Sequence, residues 1–184
     1  VVKCAAWVVP LADGMPKKAL HLVPARYTRA QQVFTMADRP DTTAFMIQDW
    51  LLVGPFDNTK GAGFDTAYGP EQDQTKPAYT GMGGKEVAWT RLQPGKPALG
   101  KGVVNLRGRF AGVNDNATAY ALTNITSDRD RAVTLFTGSD DTITAWVNGK
   151  PVIARNVYRA AAPDQDRVDI QLKKGENTLL LKVC

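Results

Sequence analysis

Histidine and cysteine are nearly missing from this 184-residue chain, which holds one of the first (His21) and two of the second (Cys4 and Cys184). A lone histidine in a proline-broken stretch leaves a Ser-His-Asp or Cys-His triad without a base near a nucleophile. Three such residues also fall short of the four ligands of a structural zinc. Gly81-Met82-Gly83-Gly84 lacks the Lys-Ser/Thr ending and the following helix that a phosphate-cradling loop needs. No apolar run approaches the roughly 20 residues of a membrane-spanning helix, so membrane insertion is not expected. Concentrated charge is missing too. The net charge is +5, but the densest basic clusters are only Lys17-Lys18 and Lys173-Lys174, which reads as solvated surface and not as a nucleic-acid tract. Strand–helix alternation is absent as well, which disfavours a parallel α/β sheet.

Short strands and turn formers are what the chain does have. Residues 1–44 read as an irregular N-terminal segment, interrupted by Pro10, Pro16 and Pro24. A short helix is expected where Thr28 and Gln31 have capping-box spacing ahead of Ala30, Val33, Phe34 and Ala37, with a strand over Gln32–Met36 as the rival. Residues 45–184 read as one β-sandwich module. Ala44–Val53 is a strand stopped by Gly54-Pro55. Residues 54–101 have long-loop composition with one strand at Lys85–Leu92. Seven short strands follow, at Val103–Phe110, Ala117–Ile125, Ala132–Thr137, Thr142–Val147, Pro151–Val157, Arg167–Leu172 and Thr178–Val183, spaced as in a sandwich or barrel. Asn148-Gly149 between two of them is a type I′ hairpin signal. The fold class is therefore all-β, an antiparallel sandwich with long loops and a short N-terminal helix. If the first and last strands are neighbours, a Cys4–Cys184 disulfide could staple the ends, worth ~4–5 kcal/mol on the chain-entropy model.

Candidate functional residues fall in two stretches. In Gly138–Lys150, Asp140 and Asp141 could offer hard oxygens to Ca²⁺, with the amide of Asn148 beyond them, or could simply bond backbone N–H groups in turns. Trp146 has the opposite strand parity to Ile143, Ala145 and Val147. On an open face it is a flat platform for a pyranose ring; under the 54–101 segment it is a core residue. In Asn156–Asp166, Tyr158 beside Arg159 is a stacking and bidentate pair, unless Arg159 is taken by a local aspartate. Trp50 and Trp89 read as core. Asp57, Asp65, Glu71, Asp73 and Glu86 are the carboxylates available for a hydrolytic pair, and also ordinary turn formers. Two sequons occur, at Asn116 and Asn124.

Asp140-Asp141-x-Ile143-x-x-Trp146-Val147-Asn148-Gly149-Lys150-x-Val152 resembles the strand–hairpin of PA14-type and glycoside-hydrolase-family-2-type jelly-roll domains. Ala162-Pro163-Asp164-Gln165-Asp166-x-Val168 and Leu172-x-x-Gly175-x-Asn177-x-Leu179-Leu180-Leu181-Lys182-Val183 are similar to related modules of large extracytoplasmic proteins of planctomycete-like bacteria. So are Trp50-x-x-Val53-Gly54-Pro55-Phe56-Asp57-Asn58 and Gly63-Phe64-Asp65. The resemblance spans roughly residues 45–184. It implies a jelly-roll, galactose-binding-domain-like accessory module without catalysis, which binds a polysaccharide or cell-surface glycan beside other domains of the same polypeptide. In PA14-type adhesins the Asp-Asp pair holds calcium and sugar, which would make Asp140 and Asp141 the metal ligands. The ligand-binding set expected on these grounds is Trp146, Tyr158, Arg159, Asn148 and Asp140. The runner-up is a structural or protein-interaction sandwich without glycan affinity, and a carboxylate-dependent glycoside hydrolase stands third.

Overall fold

The computed structural model describes residues 3–10, 20–21, 45–47, 49–92, 103–106, 108–110 and 115–184. In chain order its strands are β1 (Lys3–Pro10), β2 (Leu20–His21), β3 (Phe45–Met46), β4 (Leu51–Asp57), β5 (Ala78–Thr80), β6 (Glu86–Ala88), β7 (Thr90–Arg91), β8 (Val104–Asn105), β9 (Ala117–Ser127), β10 (Arg131–Asp140), β11 (Ile143–Val147), β12 (Lys150–Arg155), β13 (Asp166–Leu172) and β14 (Gly175–Val183). One four-residue helix, α1 (Gly69–Gln72), lies between β4 and β5. Among the described residues no helix is long and apolar enough to cross a membrane.

The strands form an antiparallel β-sandwich. The first sheet runs β13-β10-β1-β3, with β8 also on β1; the second runs β12-β11-β14-β9-β4-β7, with β2 on β9. Strand parity builds the core between them. Ala6, Val133, Leu135, Ile170 and Leu172 of the first sheet bury against Leu52, Ala119, Ala121, Ile143, Ala145, Leu179, Leu181 and Val183 of the second. Trp50, fully buried, belongs to this core as expected, and its indole N–H donates to the Ile47 carbonyl at 3.2 Å.

Several elements differ from the sequence-based expectation. The expected strand Ala44–Val53 divides into β3, which pairs with β1 in the first sheet, and β4, which pairs with β9 in the second, and the strand expected at Val103–Phe110 is only the two-residue β8. Residues 3–10 are not irregular: β1 is laddered to β10 over eight register pairs, from Lys3↔Asp140 to Pro10↔Val133. It is thus an interior strand, so the N-terminal segment contributes to the sandwich itself. Its run Cys4–Val9 has no polar alternation to announce a strand, and Pro10 ends it instead of interrupting it. Gly54-Pro55 does not stop β4. The pairing with β9 shifts register between Val53 and Phe56, and the ladder resumes at Phe56↔Thr118 and Asp57↔Ala117; Pro55 has no N–H to offer to the skipped rung. The expected strand at Lys85–Leu92 divides into β6, which pairs with β5, and β7, which pairs with β4. The helix expected near Thr28–Ala37, with its rival strand, lies outside the described residues.

Residues 58–89 cover the outer face of the second sheet. Leu51, Val53, Phe56, Tyr120, Leu122 and Leu180 point away from the sandwich interior and form a second apolar cluster with Tyr68, Tyr79, Val87 and Trp89 of this cap. Phe56 stacks on Tyr68 at 4.9 Å between ring centroids and meets Tyr120 edge-on at 5.4 Å. The glycines here serve close approach: a Cβ on Gly63 would sit 2.1 Å from the Thr118 hydroxyl oxygen.

Candidate functional site

The hairpin of β11 and β12 decides whether the candidate residues converge. Ile143 pairs with Arg155 at one end and Val147 with Lys150 at the other, so the Asp140–Asp141 crossover and the Tyr158–Arg159 loop share one end of the sandwich. Trp146 and Asn148 stand at the opposite end, about 16 Å away along five residues of strand. The expected set therefore splits into two loci.

At the crossover end, β10 leaves the first sheet and β11 enters the second, and the 156–165 loop packs against this corner. The Arg159 backbone N–H donates to Asp141 Oδ1 at 2.8 Å. The Arg159 guanidinium donates to Ser139 Oγ at 2.8 Å and closes an ion pair with Asp166, whose side chain is almost fully buried. Arg155 Nε donates to the same carboxylate at 3.1 Å. Gln165 Oε1 accepts the Ser139 N–H at 2.9 Å, and its Nε2 donates to the Ala160 carbonyl at 2.7 Å. The Ala162 carbonyl lies where a side chain at Gly138 would be, 2.0 Å from an ideal Cβ. Arg159 is thus taken by the local aspartate and braces the loop. Tyr158, its neighbour, is 96% exposed, and Val157 beside it is also exposed. Asp141 takes the backbone-bonding role, the second of the two readings open to it. Among the described residues no three His, Cys, Asp or Glu side chains group to hold a metal ion.

At the hairpin end, Asn148 and Gly149 adopt positive φ of 51° and 76°, as the turn requires. The Asn148 side chain is spent on structure: its Oδ1 accepts the Thr178 N–H at 2.9 Å and its Nδ2 donates to Asn177 Oδ1 at 2.8 Å. Trp146 is half-buried and packs on the cluster beneath the cap, so it is covered in part. Trp89, read as core, is half-buried in the same cluster, its indole donating to Tyr79 Oη at 3.1 Å.

Lys182 is the functional-looking residue that the sequence reading passed over. It is 1% exposed on the outer face of the second sheet, and its ammonium donates to Phe64 O at 3.1 Å, Thr66 O at 2.7 Å and Glu71 Oε1 at 2.8 Å. Tyr120 Oη donates to the same Glu71 oxygen at 2.5 Å. Burial, reinforced by that carboxylate, pushes the Tyr120 phenol well above its ordinary range. Burial likewise raises Tyr68, with the Asp57 charge next in importance. The available signal was a lysine inside Leu179–Val183, an otherwise apolar run. Three of the carboxylates considered for hydrolysis are engaged locally. Glu71 holds Lys182, while Asp57 and Asp73 each accept both the N–H and the hydroxyl of the threonine two residues on.

The cysteine staple is not formed. Cys184 is a free, buried thiol that accepts the Thr118 hydroxyl at 3.3 Å. Parity places it with Lys182 on the outer face of the second sheet, whereas the Cys4 backbone pairs with Ser139 in the first. The Cys4 side chain lies outside the described residues. Of the sequons, Asn116 is exposed and Asn124 is buried in mid-strand.

No protein-family model matches the chain, and neither a curated protein nor a solved structure is significantly similar to it.

Proposed function

We propose that the chain is a non-catalytic carbohydrate-binding module of jelly-roll type, part of a larger extracytoplasmic protein, and that it holds a polysaccharide or cell-surface glycan. The observation that carries this reading is Tyr158, 96% exposed on a loop fixed from its very next residue. Anchoring the Arg159 amide to Asp141 and its guanidinium to Asp166 and Ser139 pre-organises the ring, so little ordering entropy is lost on binding. A phenol ring presented in this way stacks on a pyranose face and can bond a sugar hydroxyl. The resemblance of the Asp140–Val152 stretch to the strand–hairpin of PA14-type and glycoside-hydrolase-family-2-type modules points the same way, and the engagement of Asp57, Glu71 and Asp73 within the fold supports a binder over a hydrolase.

The test is a glycan array followed by affinity electrophoresis in soluble polysaccharide. Tyr158→Ala is expected to weaken binding about 3- to 10-fold while leaving the melting temperature unchanged. A wild-type protein that binds no glycan refutes the proposal and favours a protein-interaction sandwich, for which the exposed Val157–Tyr158 tip would be the anchor.

A further inference from the structure

We infer that the free edge of β13 is an interface between two copies of this chain, which pair it antiparallel about a two-fold axis at Val168 and so join their first sheets into one. This edge is distinct from the Tyr158 tip and serves whether or not a glycan is bound.

β13 is the last strand of the first sheet. β10 pairs with it from Arg131↔Leu172 to Thr137↔Asp166, and among the described residues no strand pairs with its other side. Alternate backbone N–H and C=O groups along its seven residues are therefore left without a strand partner, the template that a further strand completes. The other edges of the two sheets are blunted. β3 and β7 have two residues each, and β12 carries Pro151, charged ends at Lys150 and Arg155, and a register shift against β11. β13 holds no proline and its ladder is regular. The bonds from Arg155 and Arg159 fall on Asp166 at its start, and Arg167, Asp169 and Gln171 beyond it are exposed.

Charge selects both the occupant and the register. Arg167 and Asp169 stand two residues apart on the outer face, with opposite signs. When β13 pairs antiparallel with itself about Val168, Arg167 of each copy lies directly opposite Asp169 of the other. The two-fold thus makes two cross-strand ion pairs from one pair of residues. Sliding the pairing by two residues either way sets Arg167 against Arg167 or Asp169 against Asp169, which repels. Sliding it by one sets outward side chains against inward ones. Both charges are held on the sheet without being neutralised: the Arg167 guanidinium lies over the Phe136 ring at 5.8 Å, and Asp169 Oδ1 accepts the Thr134 hydroxyl at 2.7 Å. Val168, half-buried against the core, meets its own copy at the axis and adds an apolar contact. One short strand pair buries less than the about 1,200 Å² of a standard interface, so the association is reversible and micromolar or weaker.

The experiment is sedimentation velocity of the wild type from about 5 to about 500 µM, in low and in high salt. The wild type is expected to shift from monomer toward dimer across this range, less so in high salt. Arg167→Asp and Asp169→Arg, each alone, should weaken association about tenfold or more, because both symmetric pairs become repulsive; melting temperature checks that each variant is folded. Mixed in equal amounts, the two variants should recover association, since every cross-strand pair is then of opposite charge. The double variant Arg167→Asp with Asp169→Arg should recover it as well. If the single variants misfold, amide hydrogen exchange of the wild type decides: exchange in β13 should slow at the high concentration while exchange in β12 does not change. A wild type still monomeric at about 500 µM, a dimer indifferent to both swaps, no recovery in the mixture or the double variant, or exchange in β13 independent of concentration overturns the interface.

Discussion

Replacing Lys182 by methionine isolates the bond between cap and sheet. Methionine keeps much of the apolar stem but removes an ammonium whose three acceptors lie in the cap, at Phe64, Thr66 and Glu71. Taking one partner from a buried ion pair costs about 3–5 kcal/mol, and each orphaned carbonyl adds about 1 kcal/mol. The Glu71 side chain is 17% exposed and keeps its bond from Tyr120, so water relieves part of that cost. About 2–4 kcal/mol is the reasoned loss, against a domain stability of about 5–15 kcal/mol. With a urea slope of about 2 kcal/mol/M, the unfolding midpoint falls by about 1–2 M. Adding Glu71→Gln removes the stranded charge and should return about 1–2 kcal/mol. Equilibrium urea unfolding followed by tryptophan fluorescence measures both, and limited proteolysis reports whether residues 58–76 loosen first. A single variant that loses less than about 1 kcal/mol, or a double variant no more stable than the single, would refute the claim that this ion pair clamps the cap.

Gly138→Ala forces a methyl group against the Ala162 carbonyl; it should cost about 1–3 kcal/mol by thermal denaturation and raise protease sensitivity within residues 156–165. Alkaline stability follows from Tyr120. The folded phenol is raised above the ordinary value of 10.0, so the unfolded chain releases its proton first and stability falls as pH climbs above about 10; Tyr120→Phe should flatten the decline, seen as melting temperature against pH. In a Cys4→Ser background, Cys184 should resist a maleimide in the native state and label fully in urea, whereas rapid native labelling would contradict its placement under the cap.

Alternation made the second half of the fold legible. Ile170 and Leu172 turn inward and Arg167, Asp169 and Gln171 outward, as their spacing in the sequence indicates, and Asn148-Gly149 turns where its chemistry demands. β1 was illegible for the opposite reason: a strand with no polar residue between Cys4 and Val9 carries no period of two. The candidate site was only half readable. The exposure of Tyr158 was readable because an aromatic in a turn-rich loop has few places to hide, and the pairing of Arg159 with a local aspartate was open from the start. The separation of Trp146 from Tyr158 follows from counting back from the hairpin turn, since residue 155 must return to face residue 143. Lys182 was beyond reach. It looks like any polar member of a strand until residues far away in sequence give it meaning.

The cap also changes what the second sheet is. With an apolar cluster on each side, β9 and β14 form the midplane of a three-layered body, and neither has a wet face along most of its length. Leu179, Leu180 and Leu181 can therefore all be leucine, each facing one layer or the other. Such a midplane ties the two hydrophobic interiors to a single ladder of backbone hydrogen bonds. A fault in β14 would be felt in both at once, whereas a fault in β13, an edge strand of the first sheet with exposed Arg167, Asp169 and Gln171, would be felt in one.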